Sequence, residues 1–447
     1  MTASASAPAS WIQRRFLDAP WPILVQTTWQ VGTRVDEAAA GAAVARLAAR
    51  HPMLRTVFIR DGEAWRQEVQ PQADPAAHVQ VFAAEGWTPD ALHEHLRDAT
   101  ATAFDLSAAP PWALRVYRRG EGTIVMLVLH HALADGWGLA TAATELWECY
   151  AAVRTGREPR LPGIDKDYHA YVALEAGYVA SAGAVEALAR VQARLADAPR
   201  LAVPMDRPRR EPPARTNALC SPRVGAASWA RTRAQAAALR TTPFVLSLAA
   251  YFAALAAWTG ERDLVVGTST AGRWSASFRH VVAPFVNPVA VRTEVDPGEP
   301  WSALVARVQR ALHEAVRDRD LPFGRLVEAR GPGAPLPFET MIIMLNVFDQ
   351  DAFRAHLAAC TGVSLDATAM VRPIPNRRSR YDAEMLLYEY EQELNGVLDF
   401  DAGLFDSPTI ERLSDAFVAA LDAVTRDPAA AVAAGIPLME DQARARV

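Results

Sequence analysis

The sequence predicts a mixed α/β fold, and three observations carry that prediction. Thr123 to Leu129 is an unbroken apolar, β-branched run, the pattern of a strand covered on both faces. Glu37 to Arg50 and Leu139 to Val153 read as helices, the first with Val44 and Leu47 on one face. Beyond residue 240, helix-like and strand-like stretches alternate, with no internal repeat of the length that builds solenoids.

Taken in chain order, Asp36 caps a helix over Glu37 to Arg50, and Pro52 stands just past its end. Arg55 to Ile59 is strand-like. The strand at Thr123 to Leu129 runs straight into His130-His131, and a helical pattern resumes after Gly138 over Leu139 to Val153. This polar cluster therefore occupies a strand-to-helix turn deep in the fold. Pro199 to Arg215 is rich in proline and arginine, has little periodicity, and is the best candidate for an internal linker. After it come a helix at 242–258, a strand at Asp263 to Gly267, a helix at 301–318, strands at Met341 to Val347 and Glu384 to Tyr390, and a helix at 408–425. Thr241 to Gly260 carries no charge, but its apolar body, Phe244 to Trp258, is shorter than the roughly 20 residues a bilayer requires. It reads as a buried core helix.

Composition narrows the function classes. The chain has 447 residues, 51% hydrophobic and 22% charged, enough for a large core in two or three domains and unlike a disordered chain or a coiled coil. Its formal charge of −5 argues against nucleic acid as a partner. Lys166 is the only lysine among 46 basic residues, and its surroundings, Gly163-Ile164-Asp165-Lys166-Asp167, match neither a phosphate loop nor a Schiff-base site. Cys149, Cys220 and Cys360 lie far apart, which fits neither a disulfide framework nor a metal knuckle and points to a reducing, cytoplasmic setting. Met1 to Ser10 has no basic and apolar signal regions, so no secretory leader and no membrane association are expected.

The sharpest local feature is His130-His131-Ala132-Leu133-Ala134-Asp135-Gly136. Adjacent residues on a strand point to opposite faces, so one histidine faces a cleft while the other packs inward, which argues against a two-histidine metal site. A neutral imidazole at a strand end can accept a proton from a nucleophile. Asp135 either orients that ring or locks the loop by pairing with an arginine, and Gly136 offers an unhindered N–H. The plainer reading is a satisfied core histidine pair with a turn aspartate.

Weaker candidates have plainer explanations. Gly267-Thr268-Ser269-Thr270-Ala271 follows a strand but lacks the second glycine and the helix of a nucleophile elbow. Ser407 before Pro408 reads as a helix N-cap rather than a phosphopantetheine attachment site. His93-Glu94-His95 lacks zinc-helix spacing and reads as solvated surface. Arg377, Arg378 and Arg380 form either a solvated turn or a receiver for an anionic group or an acidic partner face.

The motif His130-His131-x-x-x-Asp135-Gly136 resembles the signature of nonribosomal peptide synthetase condensation domains and of the wider chloramphenicol-acetyltransferase-like superfamily. Several segments are similar to the condensation branch in particular and follow its order: Arg50 to Thr56, Arg194 to Pro199, Val203 to Arg209, Thr241 to Gly267, Ala271-Gly272-Arg273, Phe285-Val286-Asn287, Asp320 to Phe323 and Leu404 to Leu413.

That resemblance implies two acetyltransferase-like lobes in a V-shaped pseudo-dimer with mixed sheets and a central tunnel. The N-terminal lobe would span 1–174 and carry the motif; the C-terminal lobe would span 175–447 and carry a floor loop and a latch. It implies that His131 is catalytic, that Gly136 contributes backbone near the reacting carbonyl, and that His130, Asp135 and Arg273 are structural, with Asp135 paired to Arg273. Asn287, Trp137 and Gly138 would line the channel. No resident cofactor or metal is implied, because acyl groups would arrive on phosphopantetheine arms of acyl or peptidyl carrier proteins.

Arg377, Arg378 and Arg380 are then candidates for carrier docking. The expected activity is transfer of a carrier-bound acyl group to an amine or hydroxyl, on a small-molecule or carrier-bound acceptor, by a free-standing monomer that takes carriers in trans. An acyl-CoA-dependent transferase, an epimerisation-type relative and an inactive docking protein are the alternatives. The chain departs from the family at Gly138, where serine is common, at Ala283-Pro284, which replace a common glycine, and at Ala189-Arg190, where tyrosine-tryptophan is usual.

Overall fold

The computed structural model describes residues 6–72, 74–210, 215–331, 333–345, 355, 358–359, 374 and 376–436. Cys360, residues 1–5 of the N-terminal stretch, 211–214 of the proline-arginine tract and the strand end at 346–347 lie outside them. The chain forms two units, one of Met1–Ser181, Ala271–Val286 and Val347–Arg377, the other of Ala182–Thr270, Asn287–Asn346 and Arg378–Val447.

The first unit contains β1 (Ser6–Pro8), α1 (Trp11–Leu17), β2 (Leu24–Val31), α2 (Glu37–Arg50), β3 (Thr56–Asp61), β4 (Ala64–Val69), α3 (Pro75–His78), β5 (Val79–Ala83), α4 (Pro89–Ala99), β6 (Trp112–Arg119), β7 (Gly122–His130), α5 (Gly136–Thr155) and α6 (Tyr168–Val179). A division at 174/175 would cut α6; the units instead separate between Ser181 and Ala182, and later segments of chain return to the first unit. Strands β1-β4-β3 form one sheet and β2-β7-β6-β5 another, parallel only between β5 and β6.

β7 is central to that second sheet, and its alternation explains the continuous apolar run. Val125, Leu127 and Leu129 enter a core shared with Val44 and Leu47 of α2 and Leu146 of α5. Ile124, Met126 and Val128 enter a second core with Leu92 and Leu96 of α4. A strand sandwiched between helices on both faces needs apolar residues at every position.

The second unit contains α7 (Ala182–Arg194), β8 (Asn217–Cys220), β9 (Arg223–Val224), α8 (Ala226–Ala238), α9 (Pro243–Thr259), β10 (Asp263–Thr270), β11 (Asn287–Glu294), α10 (Trp301–Arg317), α11 (Phe323–Ala329), β12 (Thr340–Met344), β13 (Ala383–Tyr390), β14 (Glu393–Asp401) and α12 (Ser407–Arg426). Its seven-stranded sheet runs β11-β10-β12-β13-β14-β8, with β9 also on β14, and mixes parallel and antiparallel pairs. α9 is the uncharged segment, and Val245 to Leu255 are buried in the core without interruption. α10 buries Trp301, Leu304, Val305, Val308, Ala311 and Ala315, the spacing of one helical face. Among the described residues no single helix is long and apolar enough to cross a membrane.

Two local readings change, and the reading of Ser269 as no elbow nucleophile keeps its ground. The described part of the Pro199–Arg215 tract is fastened rather than free: Arg200 pairs with Glu339 at 2.7 Å, Asp206 N–H donates to Leu404 O at 3.0 Å, and Arg215 reaches Asp382 at 2.8 Å. The N-cap of α12 is Asp406, so Ser407 is the first helical residue. Ser269 lies inside β10, opposite Pro288 of β11, and no helix follows it.

Candidate active site

β7 ends at His130, and the chain turns through Ala132 to Ala134 before Asp135 caps α5. Both histidines are buried, at 3% and 5% exposure. His130 N–H donates to Pro111 O and His131 N–H donates to Ile23 O at 2.7 Å, which fixes both backbones. His130 Nδ1 accepts from Ala132 N–H at 3.2 Å, and burial pushes its pKa down to about 4, so its ring is neutral near pH 7. The His131 ring lies face to face on Phe16, centroids 3.9 Å apart and planes 21° apart.

Asp135 is the best-satisfied group in the turn. Its Oδ1 accepts from Gly138 N–H at 2.7 Å, and its Oδ2 accepts from Phe285 N–H at 2.8 Å and Val286 N–H at 3.0 Å. Arg273 Nη2 donates to Oδ1 at 3.5 Å, while Arg273 Nη1 holds the carbonyls of Phe278 and Val281 at 2.6 and 3.0 Å. The guanidinium also lies over the Phe285 ring at 4.2 Å and the Trp137 ring at 5.3 Å. Burying a carboxyl group is costly unless donors satisfy its oxygens, and this set does so. Of the two roles open to it, Asp135 therefore takes the locking one: its hydrogen bonds tie the start of α5 to the 271–286 loop.

Glycines shape the same junction. Gly272 has φ +60°, and a Cβ there would sit 1.6 Å from Phe285 O, so only glycine fits. At Gly138 a Cβ would meet Ala283 O at 3.0 Å and Ala283 N at 3.1 Å. The two departures from the family at 138 and 283 are thus neighbours, and the Ala283 backbone occupies the space a serine side chain would need. Gly136 is exposed at the first position of α5, where helix geometry leaves its N–H without an intrahelical acceptor. Trp137 is half-buried, and its indole N–H donates to Arg279 O at 3.0 Å.

Other expected site residues lie elsewhere. Asn287 opens β11 in the second unit, 9% exposed; its Nδ2 donates to Arg319 O and Leu321 O, and its Oδ1 accepts from Phe323 N–H. Its amide is spent on bracing residues 319–323. Arg377 is bonded to Glu94 and Asp98, and Arg380 grips Glu384 at 2.9 Å, leaving Arg378 as the exposed member of the trio. The docking patch inferred from charge is therefore mostly neutralised within each unit. His95 is not solvated surface: its Nδ1 lies 3.2 Å from Tyr117 Oη among Phe82 and Trp87. Among the described residues no group of three or more histidine, cysteine, aspartate or glutamate side chains is placed to hold a metal ion.

Five residues that the sequence reading passed over surround the motif. Ser10 and Gln13 form a capping box at α1, and Gln13 Nε2 donates to Ala132 O at 3.1 Å. Tyr168 Oη lies 2.8 Å from Ser10 Oγ and donates to Pro284 O at 2.7 Å. Glu175 Oε2 accepts from Trp11 N–H at 3.0 Å, and burial pushes this carboxyl up to about 7. Phe16 completes the set. The Ser10-x-x-Gln13 spacing is a visible capping-box signal; the stack on His131 leaves no trace in sequence.

Comparison with known proteins agrees with this architecture. A family model described as the condensation domain matches residues 10–445. The chain is 27% identical to phosphinothricin tripeptide synthetase PhsC of Streptomyces viridochromogenes, across 98% of this chain and 41% of the relative. It is 29% identical to the beauvericin nonribosomal cyclodepsipeptide synthetase of Beauveria bassiana, across 84% of this chain and 12% of the relative. The chain thus spans less than half the length of these relatives.

Among solved structures, the X-domain from teicoplanin biosynthesis superposes with a TM-score of 0.81 at 23% identity, covering 98% of this chain and 99% of that one. The first condensation domain of the calcium-dependent antibiotic synthetase superposes with a TM-score of 0.77 at 20% identity, covering 96% and 97%. At these identities the structural matches establish the fold.

Proposed function

This chain belongs to the condensation-domain family, and from that premise we propose that it transfers an acyl group from a carrier-bound phosphopantetheine thioester to an amine or hydroxyl acceptor. The single observation that carries the reading is the locked turn: His131 directly follows β7, one turn of chain before the N-terminus of α5, and Asp135 ties that turn down with bonds to Gly138, Phe285 and Val286. A thioester is already activated, so the protein need only position the partners, receive a proton and stabilise charge.

In the proposed reaction the acceptor nitrogen or oxygen attacks the thioester carbon. His131 takes the proton from the nucleophile, and the Gly136 N–H at the positive end of α5 faces the developing oxyanion. The carbon–sulfur bond then breaks, and the thiolate leaves with the proton returned by His131. His130 and Arg273 hold the scaffold and take no part in proton transfer. The reaction would run in the cytoplasm, with carriers supplied in trans.

The test is intact-protein mass spectrometry of loaded carrier proteins mixed with this protein and a panel of amines and alcohols. Transfer that falls roughly 100-fold or more on His131→Ala supports the assignment; near-normal turnover by that variant overturns it. Transfer from free acyl-CoA without a carrier would move the reading to the acyl-CoA branch. A second reading follows from the match over 98% of the chain to the teicoplanin X-domain, a protein also solved in complex with OxyB. On that reading this chain is a docking module, and it is favoured if no loaded carrier in the panel loses its acyl group.

A further inference from the structure

We propose that α1 is a positioning platform for His131 and that Phe16 is the residue that sets the plane of the imidazole. The inference rests on the reading of His131 as the proton-accepting group. The His131 N–H bond to Ile23 O fixes the backbone of this residue, whereas the orientation of its ring is set about χ2, intrinsically a broad, roughly two-fold torsion. A ring that exchanges orientations presents its nitrogens to the substrate only part of the time. The Phe16 ring restricts that torsion by lying flat on the imidazole, centroids 3.9 Å apart, while itself only 6% exposed.

The platform is held to the catalytic turn by buried polar contacts rather than by packing alone. Gln13, fully buried, closes the capping box through Ser10 N–H to its Oε1 at 2.9 Å and donates from Nε2 to Ala132 O, the carbonyl next to His131. Ser10, 1% exposed, meets the buried Tyr168 hydroxyl, which in turn donates to Pro284 O beside the Phe285 and Val286 N–H groups that hold Asp135. Glu175 anchors the first N–H of α1 from α6. Sliding or tilting α1 would leave several of these buried groups without partners, so the position of Phe16 is over-determined. One chain of contacts therefore links both ends of the motif: the histidine through Phe16 and Gln13, and the aspartate through Ser10, Tyr168 and Pro284.

Phe16→Leu keeps an apolar side chain of similar size and removes the flat face; Phe16→Tyr keeps the face and serves as the rescue. Two readouts are needed. In histidine-labelled protein, the His131 ring protons, assigned by their disappearance in His131→Gln, are expected upfield in the parent, downfield in Phe16→Leu and near the parental position in Phe16→Tyr. In carrier-dependent acyl transfer, Phe16→Leu is expected to lower kcat roughly tenfold or more with KM nearly unchanged, at a melting temperature close to the parent. Phe16→Tyr should recover most of the rate.

Unmoved ring signals in Phe16→Leu overturn the proposal, and so does a shifted ring with undiminished kcat. If the parent transfers no acyl group, the functional reading fails by itself. The ring signals then judge the platform: a parental upfield shift lost in Phe16→Leu supports it, and its absence overturns it.

Discussion

Two buried aspartates, one in each unit, have opposite surroundings. Asp135 faces three backbone N–H groups and a guanidinium, each bond directed at one of its oxygens. Asp399 lies on β14 directly across from Glu384 on β13, and its Oδ1 is buried with no hydrogen-bond partner among the described residues. Burial pushes the Asp399 carboxyl up to about 7, Glu384 pushes it the same way, and Arg380 and Asn217 only partly oppose them. Arg380 spends its bonds on Glu384. The two sites thus differ in what the fold aims at a buried carboxyl group: a set of donors at Asp135, a second acid at Asp399.

The largest way to break this contrast is to remove the satisfied partner. Asp135→Ala strands the buried Arg273 guanidinium and the Phe285 and Val286 N–H groups at once, and is expected to cost about 3–5 kcal/mol of stability. Denaturant unfolding followed by tryptophan fluorescence measures it. A loss below about 1 kcal/mol would mean that the donors re-solvate freely and that the lock is not structural.

That lock was half legible in the sequence. β7 announced itself because a strand covered on both faces must be apolar throughout, and the helix cap at Asp36 follows from local chemistry, whereas the cap at Asp135, ahead of the helical pattern read from Leu139, did not. The pairing of Asp135 with Arg273 came through family likeness, not from spacing. What stayed hidden depends on contacts made in three dimensions. The Pro199–Arg215 tract has the composition of a linker, yet its arginines meet Glu339 and Asp382, and nothing local in the tract points to those acids. Arg377 and Arg380 suggested an open cationic patch because charge counting does not reveal that Glu94, Asp98 and Glu384 are already beside them. Asn287 drew attention within its motif, but only the structure reveals that its amide is turned to the backbone of 319–323.

The second way to sharpen the contrast is to relieve the dissatisfied partner. A carboxyl whose folded pKa is raised makes stability fall as pH climbs between the ordinary carboxylate value and about 7, with no further loss above it. Asp399→Asn removes that dependence. It is expected to flatten the fall in Tm between pH 5 and pH 8 and to melt above the parent at pH 8, as read by calorimetry across that range. Some slope must remain, because Glu175 in the first unit is also raised to about 7 and acts with the same sign. Parallel Tm curves for parent and variant would show that Asp399 is ionised throughout and that Arg380 and Asn217 suffice for it.

The smallest expected effect comes from charges that are paired but wet. Arg377 bonds Glu94 and Asp98 on α4 with about a third of its side chain exposed, while both carboxylates are more than half exposed. Solvent screens such pairs, and their worth is typically about 0–1 kcal/mol. Arg377→Ala should therefore shift Tm by no more than about 2–4 °C. Its guanidinium is already neutralised by two acids on its own unit, so it has little charge left to offer a partner. Affinity for a loaded carrier, measured by titration calorimetry, is accordingly expected to stay within about twofold of the parent, as for a compensated charge outside an interface. A tenfold loss of carrier affinity with an unchanged Tm would restore Arg377 as a docking residue, because only a group that exchanges its internal acids for those of the carrier would behave that way.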